Sequence, residues 1–155
     1  MQKEFPTEQL TYGLFGKRGQ SADSFTETLT KQGFFPGKFD TSSAGHIQAG
    51  DEPLESALRE LKEELGISAT PEQLHFAGTF PISFTKEFHG KMFRDEEIAF
   101  VYIYQEPVNT AELVLQTEEV EEVQWFDLEE VYEQCGKRRE IFCVPEGAWE
   151  WCGVI

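Results

Sequence analysis

Three glutamates lie close together in the segment ALRELKEELGI, residues 57–67. On a helix, Glu60 neighbours both Glu63 and Glu64, because residues three and four apart share a face. Like charges at these spacings destabilise a helix by about 0.2–0.5 kcal/mol per pair, and Arg59, four residues before Glu63, relieves part of that. A hard divalent cation would relieve the rest, since Mg2+ prefers oxygen ligands and is held by a few carboxylates together with substrate phosphate. The alternative interpretation is a solvated charged face, which most such runs form.

The residues around the glutamates predict the helix that must position them. Pro53 suits a first helical turn, Asp51 is predicted as the N-cap, and Gly66 suits the left-handed residue that ends a helix. Apolar residues recur between these limits at three- and four-residue steps and form one stripe: Leu54, Ala57, Leu58, Leu61 and Leu65.

Other patterns predict strands before and after this helix. The most strongly β-like run is IAFVYIY at 98–104, which is rich in β-branched and aromatic residues. Further strands or extended segments are predicted at 10–18, 39–48, 74–84, 112–116 and 122–126, with a second helix at 127–135, an irregular loop at 19–38 and a turn-rich connection at 87–96. Most strands lie too close together in sequence for helical crossovers, which predicts an α+β fold with a mixed sheet.

Length, charge and cysteine spacing limit the class of protein. The 155 residues predict one domain, 1–155. The formal net charge of −16 repels a phosphate backbone, so we expect no nucleic acid polymer as a partner. No apolar run approaches the roughly 20 residues of a membrane helix, and MQKEFPTEQL does not look like a signal peptide. The three cysteines are widely spaced and odd in number, which predicts a cytoplasmic protein without a disulfide framework.

The helix and the residues before it match a longer spaced motif. Gly45 is followed by five residues and Asp51, then by seven residues and Arg59-Glu60-Leu61-Lys62-Glu63-Glu64-Leu65-Gly66-Ile67. This resembles the Nudix box, G-x5-E-x7-R-E-U-x-E-E-x-G-U with U apolar, except that Asp51 stands where the family usually has Glu. Residues 36–51, 95–102 and 118–131 also resemble the branch of hydrolases related to isopentenyl diphosphate isomerase. The resemblance covers roughly residues 36–135 and leaves 1–35 as an atypical N-terminal segment.

The resemblance implies a fold and an activity. The fold is an α/β/α sandwich, a mixed sheet packed between helices. The activity is Mg2+-dependent (or Mn2+-dependent) hydrolysis of a diphosphate linkage in a nucleoside diphosphate derivative or another organic diphosphate. By motif position, the metal ligands are expected to be Glu60, Glu63 and Glu64, together with the carbonyl of Gly45. Arg59 is expected to orient the glutamates by ion pairing.

Three roles stay open between alternatives. The general base is expected to be Glu60 or Glu97; Glu97 lies at the start of the 98–104 strand, two residues after Asp95. Asp51 is either the helix N-cap or an outer metal contact weakened by the shorter side chain. His46 is either a phosphate or metal contact, as the isomerase branch suggests, or a histidine hydrogen-bonded at a strand end.

Other functions compete with hydrolysis. An isopentenyl diphosphate isomerase is disfavoured, because Ala44 stands where the resembling enzymes have their cysteine and no histidine precedes His46. A non-catalytic nucleotide-binding module usually loses box glutamates, and here only Asp51 favours that reading. No EF-hand loop is present to favour a Ca2+-binding scaffold. The short opening of the chain predicts an incomplete sheet edge, from which we hypothesise a homodimer.

Overall fold

The computed structural model describes residues 8–15, 27–31, 39–41, 43–104 and 106–125. One α-helix, two short 3-10 turns at Pro71–Gln73 and Thr110–Glu112, and seven strands lie in these ranges. In chain order the longer elements are β1 (Glu8–Phe15), β2 (Glu27–Lys31), β3 (Phe39–Thr41), β4 (Ser43–His46), α1 (Pro53–Leu65), β5 (Leu74–Phe88), β6 (Lys91–Tyr104) and β7 (Val120–Trp125).

The predicted acidic helix is confirmed as α1. Pro53 occupies its first turn, where the missing N–H is harmless. Gly66 ends it at φ 73°, a left-handed conformation that glycine adopts without steric cost. The predicted N-cap is wrong, because the capping residue is Glu52, in extended conformation and without a side-chain cap hydrogen bond. The Asp51 carboxylate is instead engaged by Arg59.

The larger sheet has four strands in the order β4-β1-β6-β5. β1 pairs with β6 in parallel and with β4 antiparallel, and β5 and β6 form an antiparallel pair. The predicted mixed sheet is therefore confirmed. β1 belongs to the N-terminal segment that the sequence marked as atypical, yet it pairs on both sides.

A second sheet corrects the loop predicted at 19–38. Its three strands run in the order β3-β2-β7, and β2 (Glu27–Lys31) lies inside the predicted loop. Leu29 pairs with Asp40 of β3 and with Val123 of β7, so strand pairing on both sides determines the conformation of a segment that is short and polar by itself. The rest of 19–38 lies outside the described residues.

A tight hairpin replaces the predicted turn-rich connection at 87–96. β5 runs to Phe88 and β6 begins at Lys91, with only His89 and Gly90 between them. Both residues have positive φ, 50° and 74°, as two-residue hairpin turns of type I′ require. The polar residues after the turn therefore continue a strand.

The strand predicted at 112–116 is also wrong. The N–H of Val114 donates to the carbonyl of Leu65 at 3.1 Å, and the N–H of Gln116 donates to the carbonyl of Glu64 at 3.0 Å. The last carbonyls of a helix lack partners within the helix. The segment therefore caps the C-terminus of α1 instead of joining a sheet.

The hydrophobic core lies between α1 and the sheet. Its buried members come from the helix, from β5, β6 and β7, and from the connection after β6: Ala57, Leu61, Leu65, Leu74, Tyr102, Tyr104, Val108 and Val120. Trp125 packs against this cluster, as core packing of aromatic residues predicts. The helix predicted at 127–135, Trp149, Trp151 and the three cysteines lie outside the described residues. Among the helices that the structure describes, none has the length and apolar character needed to cross a bilayer.

Candidate active site

Helix α1 packs on strand β4, and Glu60 lies in the seam between them. A Cβ placed on Gly45 would lie 2.6 Å from Cγ and 2.5 Å from Oε1 of Glu60, and it would also overlap Cδ. Non-bonded carbon atoms at optimal separation are about 3.5–4.0 Å apart. Only glycine at position 45 therefore leaves the Glu60 carboxylate room in its present position, where its side chain is 18% exposed.

Glu64, one helical turn further on, is buried in the same seam. Its side chain is 3% exposed, and Oε2 accepts a hydrogen bond from the backbone N–H of Ala44 at 3.3 Å. Ala44 and Gly45 are adjacent in β4, so one short strand contacts two of the three glutamates. Removing a carboxylate from water is costly unless hydrogen bonds or an opposite charge compensate it.

Arg59 links Asp51 to Glu60. Its Nη1 donates to Oδ2 of Asp51 at 2.6 Å, and its Nη2 lies 3.7 Å from Oε1 of Glu60. The hydrogen bond to Asp51 raises the pKa of Arg59 above its usual value, and the charges of Asp51, Glu60 and Glu63 act in the same direction against the effect of burial. The guanidinium group is therefore hydrogen-bonded to Asp51 and lies beside the Glu60 carboxylate, where its charge attracts that glutamate.

Glu63, the third glutamate, is exposed on the outer side of the helix. The structure thus brings Glu60 and Glu64 to β4 and leaves Glu63 in solvent beside them. This difference follows from helical geometry: residues 60 and 64 are four apart and share the face that packs on the strand.

Glu97 lies near His46. Its side chain is 7% exposed, and Oε1 is 3.9 Å from Nε2 of His46. Tyr102, whose side chain packs in the core under α1, is five residues away from Glu97. Because side chains alternate along a strand, Glu97 projects from the opposite face of β6. The side chain of Asp95 lies outside the described residues.

A metal site remains a prediction. Within the part of the chain that the structure describes, no three carboxylate, imidazole or thiol side chains are grouped so that they could hold a metal ion. The residues nonetheless suit a hard divalent cation, because the candidate donors are all oxygen atoms. Because Gly45 has no side chain, its backbone can lie directly against the Glu60 carboxylate.

The sequence analysis missed three buried polar atoms around this seam. Oγ of Ser43, Oγ of Ser56 and Nη2 of Arg59 have no hydrogen-bond partner among the described residues. Buried polar groups normally have partners. Ser56 precedes Glu60 by four residues and therefore shares its helix face. This spacing was the signal in the sequence that could have identified Ser56 as a residue of the site.

The sequence of this site matches a known family. A model of the NUDIX domain matches residues 20–143, most of the chain. The chain belongs to the Nudix family. An uncharacterised Nudix hydrolase of Clostridium acetobutylicum is 44% identical over 85 residues, which are 55% of this chain and 39% of that protein. One of Yersinia pestis is 37% identical over 103 residues, 66% of this chain and 49% of that protein. The chain therefore spans less than half the length of these two relatives.

Solved structures agree with the family assignment at the level of fold. The Ap4A hydrolase of C. elegans, in a binary complex, matches with a TM-score of 0.62 at 17% identity, over 95% of this chain and 96% of that one. The dihydroneopterin triphosphate pyrophosphohydrolase of E. coli matches with a TM-score of 0.63 at 17% identity, over 92% of each chain. The predicted α+β Nudix fold is thereby confirmed.

Proposed function

We propose that this Nudix domain hydrolyses a diphosphate linkage in a nucleoside diphosphate derivative or another organic diphosphate, with Mg2+ or Mn2+ as cofactor. The observation that supports this most is the inward position of two motif carboxylates. Glu60 and Glu64 are held against β4 in a chain of net charge −16. Their mutual repulsion would be offset by a bound cation, and a cation would also let an anionic diphosphate approach.

The proposed ligands are Glu60, Glu63 and Glu64, with the carbonyl of Gly45. A divalent ion held there would neutralise charge on the diphosphate and favour deprotonation of a nearby water. Glu63 suits this role because it is exposed and has no packing function in the seam. The chain's own contribution is to keep the carboxylates of Glu60 and Glu64 against β4 before substrate arrives.

Arg59 is proposed to position the ligands rather than to contact the substrate. It donates to Asp51 at 2.6 Å and lies 3.7 Å from the Glu60 carboxylate. This pairing limits the directions that the Glu60 carboxylate can take. Asp51 would then act on the metal indirectly, through Arg59, which suits its shorter side chain.

Glu60 and Glu97 are both kept as candidates for the general base in this proposal. Glu60 belongs to the proposed ligand set and lies on the α1 side of the sheet, with Oε1 3.7 Å from Nη2 of Arg59. Glu97 lies outside that set, with Oε1 3.9 Å from Nε2 of His46. A general base must come within about 3 Å of the attacking water, and Glu97 could do so only from the face of β6 opposite α1.

The solved relatives support a small organic phosphate as the substrate class. Two are named for Ap4A and for dihydroneopterin triphosphate, which both contain phosphoanhydride linkages. We extend only that shared linkage to this chain. A homodimer and a cytoplasmic location remain part of the proposal and are tested by sedimentation and by fractionation of cells.

A non-catalytic nucleotide-binding module is the second candidate. It is favoured by the lack of a three-side-chain metal grouping in the described ranges. Such a module would bind a nucleotide without turning it over. The hydrolase is favoured by the retention of all three box glutamates.

A turnover screen separates the two functions. The protein would be incubated with nucleoside diphosphate derivatives, dinucleoside polyphosphates and isopentenyl diphosphate, with Mg2+, with Mn2+ and with excess chelator, and the products identified by mass. Hydrolysis predicts a phosphate-containing product that requires the metal. Binding of a nucleotide without any product, at enzyme concentrations sufficient for a single turnover, would contradict the hydrolase.

A further inference from the structure

A fully buried hydroxyl lies one helical turn before Glu60. Ser56 of α1 is 0% exposed, and its Oγ has no hydrogen-bond partner among the described residues. A buried hydroxyl without a partner loses its hydration and gains nothing in return, and alanine is also the better helix former. Serine at position 56 therefore destabilises the folded chain relative to alanine, and no described contact compensates for this.

Helical geometry directs one of the three glutamates towards this hydroxyl. Ser56, Glu60 and Glu63 follow the i, i+4, i+7 spacing of a single helix stripe. Side chains of a helix lean towards its N-terminus, so the Glu60 side chain points back over the turn that contains Ser56. The Cβ atoms of residues four apart are about 5–6 Å from each other, a distance that a glutamate side chain can span. Glu64 lies a full turn further away.

A second buried donor without a partner lies beside the same carboxylate. Nη2 of Arg59 is buried and unpaired among the described residues, and it lies 3.7 Å from Oε1 of Glu60. That distance exceeds the roughly 2.7–3.2 Å of an N–H···O hydrogen bond. Native structures rarely leave one buried donor unpaired, and here two lie within one helical turn of Glu60. Both observations indicate that the Glu60 carboxylate is the acceptor that these donors serve.

A glutamate that binds a cation needs such donors. Carboxylates that ligate a metal are themselves hydrogen-bonded, and these bonds fix their orientation. An ionised carboxylate has about four lone-pair sites, enough for a cation and for two donors. Glu64 accepts the N–H of Ala44 at 3.3 Å, and Glu63 is exposed to water. Glu60 is only 18% exposed, so its donors have to come mainly from the chain itself.

We propose that Ser56 is a positioning residue of the cation site, whose hydroxyl donates a hydrogen bond to the Glu60 carboxylate when Glu60 binds a divalent cation. The hydrogen bond limits the directions that this carboxylate can take. This inference rests on the proposed function, because it takes Glu60 as a metal ligand from it. The structural alternative is a hydroxyl directed at the carbonyl of Glu52, which already accepts the N–H of Ser56 at 3.0 Å.

Two measurements on the full chain test the proposal without relying on turnover. The first is urea unfolding with excess chelator, in which Ser56→Ala should raise the urea midpoint because it removes an unpaired buried hydroxyl. The second is titration with Mn2+ alone, followed by the electron paramagnetic resonance signal of the free ion. Here Ser56→Ala should raise the Kd by about 10- to 100-fold, the loss typical of a partner that orients a metal ligand. A serine with a purely structural role would not change stability and metal affinity in opposite directions.

Ser43→Ala is the matched control, because Ser43 is the other buried serine whose hydroxyl has no described partner. It is 3% exposed and lies at the start of β4, off the stripe of α1 that carries Glu60 and Glu63. It should raise the urea midpoint in chelator and leave the Kd of Mn2+ unchanged.

Three results would overturn the proposal. The first is a wild-type Kd for Mn2+ in Ser56→Ala. The second is an equal rise of the Kd in Ser43→Ala, which would indicate general repacking of the seam. The third is a lower urea midpoint of Ser56→Ala in chelator, which would indicate a hydroxyl paired within the folded chain.

Failure of this inference is distinguishable from failure of the proposed function. Metal-dependent turnover in the wild type, with an unchanged Kd of Mn2+ in Ser56→Ala, would remove the role of Ser56 and leave the hydrolase intact. Mn2+ binding that depends on Ser56, in a protein that turns over no diphosphate, would leave that role intact and remove the hydrolase. A wild type that binds no Mn2+ would contradict the cation site of the proposed function itself, and this inference with it.

Discussion

Substitution of Gly45 by alanine should displace the Glu60 carboxylate with little loss of stability. The new Cβ would lie 2.6 Å from Cγ of Glu60, whereas carbon atoms need about 3.5 Å, so the side chain must move by about 1 Å. The φ of Gly45 is not in the left-handed region, so the backbone accepts alanine. We expect a stability cost of about 0.5–1.5 kcal/mol, the cost of an off-rotamer side chain.

The effect on turnover should be much larger than the effect on stability. A displacement of about 1 Å in a catalytic arrangement costs about 100-fold in rate. The assay is kcat for diphosphate hydrolysis across a Mg2+ titration, together with urea unfolding of the same preparations. If Glu60 is a ligand, the Mg2+ concentration for half-maximal rate should also rise.

Gly90→Ala provides the control for a general effect of alanine. Gly90 has φ 74° at the hairpin turn and nothing within 4 Å of an added Cβ, so alanine strains the backbone there without touching a carboxylate. This variant should lose stability and keep kcat. Wild-type turnover in Gly45→Ala, at unchanged Mg2+ dependence, would refute the reasoning about Glu60.

Three further outcomes are expected. Arg59→Lys should lower kcat about 10-fold and change stability by less than about 1 kcal/mol. The reason is that a lysine ammonium group cannot lie against two carboxylates in the way that the two guanidinium nitrogens do. Equal kcat of the variant and the wild type in a steady-state assay would contradict this. Gly66→Ala should cost about 2 kcal/mol or more in urea unfolding, because φ is 73° and the new Cβ would lie 2.8 Å from Cβ of Val114; a smaller cost would show that the cap rearranges freely. Burial raises the pKa of Tyr104 above 10, so this tyrosine ionises first in the unfolded state and the protein should lose stability as pH rises past 10. In Tyr104→Phe, the free energy of unfolding should fall less steeply with pH above 10. The same pH dependence in both proteins would contradict the raised pKa of Tyr104.

The elements that the sequence predicted well are those determined by local patterns. α1 has a regular apolar stripe, a proline in its first turn and a terminal glycine, and all of these act within a few residues. β2 lacks such signals, because its conformation depends on pairing with β3 and β7, which are distant in sequence. The apolar run at 112–116 was misread for a similar reason, since its backbone partners belong to α1.

The sequence predicted which site residues share one face of α1, but not which side chains from other parts of the chain they or their neighbours would contact. Helical spacing grouped Glu60 with Glu64, and both contact β4 as a helix face should. The N-cap reading of Asp51 failed because the sequence does not show that Arg59 competes for its carboxylate. The proximity of His46 to Glu97 depends on strand register, which residue spacing does not reveal.

The most direct test of the account compares Glu63→Gln with Glu55→Gln. Both residues are exposed glutamates of α1, and the two substitutions remove the same charge. Neither should change the fold, which circular dichroism and urea unfolding would verify. The account predicts that Mg2+-dependent diphosphate hydrolysis falls at least about 100-fold in Glu63→Gln and stays at the wild-type rate in Glu55→Gln. Equal rates in the two variants would contradict the claim that the glutamates of α1 are spaced to hold a catalytic cation.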